Sequence, residues 1–216
     1  EIDLNEALSL LRRASEGGYG EASYHLGVIH EEGRGVTNNF DEAIKNYRLG
    51  TEQGNISSMQ KLVEFYEEGT VVEKDEEKAR EFYVKISKTV LEESEGIEWE
   101  EDGEIEWGFD ESNGRLIIKG KGPLEDYADG SKTCQMKDYG GWVNESPWRN
   151  KYGNQIKSAV VCFGVSSIGD YTFYYCTNLR SVALPISVTS IGNSAFKSCW
   201  RLKSIIIPIS VTSIGS

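Results

Sequence analysis

The chain has 216 residues, 38% hydrophobic and 27% charged, which is enough apolar material for packed cores and excludes wholesale disorder. Its 23 Lys and Arg face 35 Asp and Glu, a net charge of −12, which argues against a nucleic-acid footprint or insertion at an anionic membrane surface. The longest apolar run, residues 159–165, is far short of the ~20 residues that span a bilayer, and with Glu1 as first residue the lack of a signal-like stretch says nothing about targeting.

Charge divides the chain. Residues 1–95 carry 21 acids and 11 bases, residues 96–157 carry 13 and 8, and residues 158–216 carry 1 and 4. The first block holds no proline and is rich in Ala, Glu, Leu and Lys; the last is rich in Ser, Val and Ile. Helix formers followed by β formers predict a helical half and a β-rich half. The expected layout is 1–95, a β-rich lead-in over 96–157, and 158–216.

Within the first block, Ala7, Ala43 and Ala79 lie 36 residues apart, as do Leu26 and Leu62, His30 and Tyr66, Gly33 and Gly69, and Tyr47 and Tyr83. Each unit reads as helix, glycine loop, helix. Ala22, Leu26 and Ile29 share one helical face. Gly33 and Gly35 then permit the left-handed backbone that reverses the chain, and residues 41–49 restart a helix with Ala43, Ile44 and Tyr47 inward. The sequence from Ala22 through Gly27, then Gly33-Arg34-Gly35-Val36, Glu42-Ala43 and Tyr47 resembles a Sel1-like repeat, a relative of the tetratricopeptide repeat. A second copy departs from it at Val63 and Val71, and a half-unit over residues 4–18 precedes both. The resemblance spans about residues 3–90 and implies an α-solenoid of helix pairs that binds proteins without catalytic residues.

After Gly96, Trp99, Ile105, Trp107 and Phe109 alternate with Glu98, Glu100, Glu104 and Glu106, the signature of strands with a solvated acidic face. The last block repeats every 23 residues: Ile168, Ile191 and Ile214; Val165, Val188 and Val211; Phe173 and Phe196; Cys176 and Cys199; Pro185 and Pro208. Each unit carries an alternating segment, 179–184 or 202–207, which proline closes because it donates no ladder hydrogen bond. A second extended piece over 188–191 follows, and Gly192 turns the chain. One unit cannot bury its own apolar face, so the coils must stack. These residues resemble BspA-like leucine-rich repeats, and residues 114–122, Asp126-Tyr127, Ser146-Pro147-Trp148 and 156–158 resemble the lead-in to such arrays. That resemblance spans roughly 97–216 and implies adhesion and protein recognition. The array breaks off in mid-unit, so the natural chain is expected to continue.

The fold class is therefore α+β, a multidomain repeat protein with an N-terminal α-solenoid and a C-terminal β-rich leucine-rich-repeat solenoid. Chemistry-bearing constellations are weak. Cys134, Cys162, Cys176 and Cys199 form no CxxC, and His25 and His30 stand five apart, the wrong step for one helical face. Cys176 and Cys199 are expected as stacked, buried thiols. Asp102-Gly103-Glu104 lacks calcium-loop spacing. Two glycosylation triplets begin at Asn55 and Asn144. No catalytic, cofactor or metal site is expected, and no enzyme activity.

The repeat also filters for contact residues, because positions that the scaffold requires should recur. Tyr171, Tyr174 and Tyr175 align with Ser194, Lys197 and Ser198, and Trp200 aligns with Thr177. These four aromatics are candidate protein-contact residues; local packing against the 142–148 insert or against a neighbouring coil is the competing reading. The expected role is a protein-binding or adhesion module at the cell surface or outside the cell, with a cytoplasmic scaffold as the alternative. The partner is a protein; no nucleic acid is expected, and no membrane insertion within these residues.

Overall fold

The computed structural model describes residues 4–127 and 146–216, together with the backbone of 134–135 and 142–143. Cys134, Asn144 and the 128–146 insert, apart from Ser146 and those two backbone pairs, lie outside the described residues. The chain divides into two compact units, Glu1–Thr89 and Val90–Ser216.

Five helices come first: α1 (Leu4–Glu16), α2 (Gly20–Glu32), α3 (Phe40–Glu52), α4 (Ile56–Glu68) and α5 (Glu76–Glu92). The 36-residue period is exact in the helix starts: 4, 40 and 76, and 20 and 56. It also recurs in the joints. Gly33 and Gly69 end α2 and α4 with φ of 69° and 68°, left-handed values that glycine adopts without steric cost. Asn39 and Asp75 then accept hydrogen bonds from the N–H groups of Glu42 and Lys78, three residues on, capping α3 and α5.

Ala43 and Ala79 occupy equivalent, fully buried positions, clustered with Tyr47, Leu62, Phe65 and Tyr66. Ile44 packs against this cluster while remaining half-buried. Gly27 makes room for the Tyr47 ring, because a Cβ there would stand about 2.4–2.8 Å from three ring carbons. A polar bond accompanies each apolar repeat. The Tyr47 hydroxyl donates to Glu31 and the Tyr83 hydroxyl to buried Glu67, both pairs sixteen residues apart. Burying a carboxylate is tolerated where donors replace its water.

The second unit opens with β1 (Trp99–Asp102), β2 (Ile105–Asp110) and β3 (Arg115–Gly120), an antiparallel meander. Ile105, Trp107 and Phe109 are buried and Glu106 and Asp110 remain partly exposed, the alternation expected of this stretch, which buried Gly108 interrupts. Asp110 ties the β2–β3 turn by accepting from Ser112 N–H and Oγ–H and from the Asn113 amide. The short strands β4 (Gly122–Pro123), β5 (Cys134–Gln135) and β6 (Trp142–Val143) follow, then α6 (Pro147–Tyr152). The coils come last: β7 (Ser158–Val161), β8 (Val165–Ile168), β9 (Ser181–Ala183), β10 (Ser190–Ile191) and β11 (Ser213–Ile214).

Two sheets run along the coils. One has the order β1-β2-β3-β7-β9, with β3, β7 and β9 parallel; the other, β4-β8-β10-β11, is parallel throughout. Ile168, Ile191 and Ile214 are direct partners in the second sheet, so the 23-residue period is one turn of a β-coil. The segment 202–207, read from sequence as a strand, runs without a ladder. Strand β9 pairs with β7 along one edge only, and Leu202, Ile205 and Ile207 pack on the core as half-buried side chains.

Lead-in and coils share one core. Trp148 of α6 is fully buried; its ring meets Trp107, Tyr127 and Phe173 at 6.0, 5.5 and 6.3 Å, and its indole N–H donates to the Thr172 carbonyl at 3.1 Å. The meander thereby covers the first coil, as a solenoid needs where no neighbouring coil buries its apolar face.

Candidate protein-contact surface

Side chains as well as backbone bind each coil to the next. Ser187 Oγ–H donates to the Val165 carbonyl at 2.7 Å, and Ser210 repeats the bond to Val188 at 2.6 Å. Asp126 accepts from the Asp170 N–H at 2.8 Å, Asp170 from the Asn193 N–H at 2.5 Å, and Asn193 from the Ser216 N–H at 3.1 Å. This column of short polar side chains follows the Ile-Gly pairs of each coil. Gly169, Gly192 and Gly215 are required there by close approach: a Cβ on any of them would come within 2.1–2.5 Å of a neighbouring atom. An open groove of about 570 Å³ follows these columns, and Asp126 and Asn193 in it are already bonded along the ladder.

The apolar columns are equally regular. Phe173 and Phe196 stack with centroids 5.3 Å apart and planes 7° from parallel. Cys162, Cys176 and Cys199 are buried thiols outside any disulfide among the described residues. Burial pushes the Cys176 thiol up to about 12 and that of Cys199 to about 11. Thiols so weakly acidic are poor nucleophiles and metal ligands. Among the described residues no three His, Cys, Asp or Glu side chains group as a metal site. His25 is exposed beside Glu21 at 3.4 Å, while His30 is half-buried. The Asn55 side chain caps α4 by accepting from Ser58 N–H and donates its amide to Glu21.

Tyr171, Tyr174 and Tyr175 are half-buried, and Trp200 is 74% exposed. The four rings form one continuous row. Centroids are 5.5 Å apart for Tyr171–Tyr174 and Tyr174–Tyr175 and 5.7 Å for Tyr175–Trp200, with planes tilted by 79°, 56° and 59°. The backbone beneath alternates in its bonding, with the N–H groups of Tyr171, Phe173 and Tyr175 donating to the carbonyls of Asn193, Ala195 and Lys197 on the next coil.

That geometry has a cost. Tyr171 and Tyr175 have φ of 56° and 62°, and their counterparts Ser194 and Ser198 have 52° and 63°. The coil therefore demands left-handed backbone at both positions, which costs a side-chain-bearing residue about 1–2 kcal/mol and suits Gly, Asn or Asp best. The backbone has no use for a tyrosine here. Sequence reading also missed Arg149, whose guanidinium stands 5.7 Å from the Tyr175 ring centre. Nothing in the sequence could have indicated it, since Arg149 lies outside the repeats.

Comparison with known proteins finds both kinds of repeat. The Sel1 repeat model matches residues 1–19, 20–55 and 58–88, and the model described as "BspA type Leucine rich repeat region (6 copies)" matches residues 151–216. The meander before residue 151 lies outside that match, although β3 continues its sheet. No curated protein matches the chain. Among solved structures, a leucine-rich repeat protein from Eubacterium ventriosum is 27% identical over 52% of this chain and 26% of its own, with a TM-score of 0.42. A Sel1 repeat protein from Oxalobacter formigenes is 29% identical over 38% of this chain and 34% of its own, with a TM-score of 0.36. A protective antigen of uropathogenic Escherichia coli strains with an SLR fold is 36% identical over 38% of this chain and 18% of its own, also at 0.36. The chain thus spans between 18% and 34% of the length of these proteins. Repeats of both kinds generally serve protein interaction, and BspA-like proteins are often surface-associated. No helix among the described residues is long and apolar enough to cross a membrane. The chain carries Sel1 repeats followed in sequence by BspA-type leucine-rich repeats.

Proposed function

We propose that these residues act without catalysis as a protein-binding or adhesion module at the cell surface, with Tyr171, Tyr174, Tyr175 and Trp200 as the contact row. The observation that carries this reading is the exposure of Trp200, 74%, at the end of a row whose other members stand where the coil has no need of an aromatic. Tyr and Trp dominate binding surfaces because they supply large contact area while few rotatable bonds are frozen. An extended row suits recognition spread along stacked units better than one deep pocket.

The test immobilises the chain, exposes it to matrix proteins and to cell lysate, and repeats the capture with Tyr174→Ser and Trp200→Ser together. Loss of the captured proteins by the double variant supports the reading. Capture that is unchanged by it removes the row from the contact surface. Surface placement is checked separately, by labelling intact cells with an impermeant amine reagent; a chain protected until lysis is not on the surface.

A further inference from the structure

The aromatic row ends among positive charges, and those charges indicate the chemistry of its occupant. In a chain of net charge −12, residues 158–216 hold four bases and one acid. Lys197 and Arg201 are both exposed. The Lys197 carbonyl accepts the Tyr175 N–H at 2.9 Å, which places Lys197 beside Tyr175 on the adjacent coil, and Arg201 follows Trp200 directly. Arg149 stands over the Tyr175 ring from the lead-in side. The one acid, Asp170, adjoins the far end of the row, and its carboxylate already accepts from the backbone N–H and the side-chain amide of Asn193.

Resting on the contact-row reading above, we propose that the row takes an extended, acidic peptide segment of a partner protein. Three ring-to-ring steps of 5.5–5.7 Å make a track at most about 17 Å long, the reach of about five extended residues. A track this narrow fits one strand of chain. The ligand's apolar groups rest against the tilted rings, and its carboxylates meet Lys197 and Arg201. Rim charges of this kind select the partner and speed its arrival.

The experiment uses the full 216-residue chain and two labelled dodecapeptides, one of repeating Glu-Pro-Ala and one of repeating Lys-Pro-Ala, read by fluorescence anisotropy. The acidic peptide should bind at least about tenfold tighter than the basic one and weaken as salt screens the charges. Lys197→Glu with Arg201→Glu should cost at least about tenfold in acidic-peptide affinity, and Trp200→Ser should weaken binding at unchanged charge. Both changes lie on exposed side chains, and unreactive Cys176 and Cys199 thiols verify that each variant is folded.

Equal binding of both peptides, or acidic binding that survives the charge reversal, overturns the acidic partner. The contact-row reading survives that result if the Tyr174→Ser, Trp200→Ser variant still loses its captured proteins. Acidic binding that ignores Trp200→Ser overturns the row as its site. Sedimentation that shows a charge-dependent dimer in place of peptide binding assigns the surface to a second copy of the chain. Heparin bound as tightly as the acidic peptide assigns it to anionic glycans. Either result overturns the peptide proposal.

Discussion

Replacing Trp148 with alanine tests whether the lead-in and the coils are one structure. The ring is fully buried and meets Trp107 and Tyr127 of the lead-in and Phe173 of the first coil, with its N–H on the Thr172 carbonyl. Removing a buried aromatic of this size costs about 3–5 kcal/mol, and orphaning the carbonyl adds about 1 kcal/mol or more. A domain's whole stability is about 5–15 kcal/mol, so the second unit should survive narrowly and open far more often. Since about 1.4 kcal/mol is tenfold in an equilibrium, thiol labelling of Cys176 and Cys199 through opened states should quicken by about a thousandfold to ten-thousandfold. Mass spectrometry of the peptides that carry the two residues gives the rates. Trp148→Phe, which keeps a ring and loses the N–H, should fall between wild type and alanine. An increase of less than tenfold for Trp148→Ala would mean that α6 merely lies on the coils, and the shared-core argument would fail.

Three further outcomes follow from particular contacts. Gly192→Ala would put a Cβ 2.5 Å from the Asp170 nitrogen and 2.6 Å from the Gly169 carbonyl carbon. Because both are backbone atoms, the change should cost about 1–3 kcal/mol, seen as a lower urea midpoint; an unchanged midpoint refutes the close-packed ladder. Tyr83→Phe takes a donor from the buried Glu67 carboxylate and should destabilise the helical unit by about 1–3 kcal/mol, measured by helical circular dichroism during denaturation. Alkaline pH should weaken the second unit. Burial raises the Cys176 and Cys199 thiols to about 12 and about 11, and burial together with Asp102 raises Tyr127. The fold favours the neutral forms, so their stabilisation is complete below the unfolded values, about 8.5 for Cys and about 10 for Tyr, and is lost as pH rises towards the folded ones. A melting temperature that holds or climbs between about pH 8 and about pH 11 would contradict this.

Both repeat periods were legible because a solenoid writes its geometry into the sequence. Each coil meets only its neighbours, so the same side chain is needed at the same place again. Ile168, Ile191 and Ile214 are an example, spaced by 23 in the sequence and paired side by side in the sheet. Polar recurrences are also present, at the same two periods. Glu31 with Tyr47 and Glu67 with Tyr83 repeat at 36, and Asp170, Asn193 and Ser216 repeat at 23 after each Ile-Gly pair. Polar ladders hide more easily than apolar ones, since their residue types vary while the acceptor oxygen stays. Sequence could also nominate Tyr171, Tyr174, Tyr175 and Trp200 by their failure to recur, yet could not show that their rings adjoin.

What the amino-acid order determined by itself was the length of each coil, the residues that face inward and the places where the chain reverses. These depend on neighbours one repeat away and on the local freedom of glycine and proline. Tertiary structure alone decided which non-repeating residues meet. It buried Trp148 between the meander and the first coil and brought Arg149 over Tyr175. The physical reason is that such contacts join parts of the chain with no common period, and only the folded path sets the distance between them.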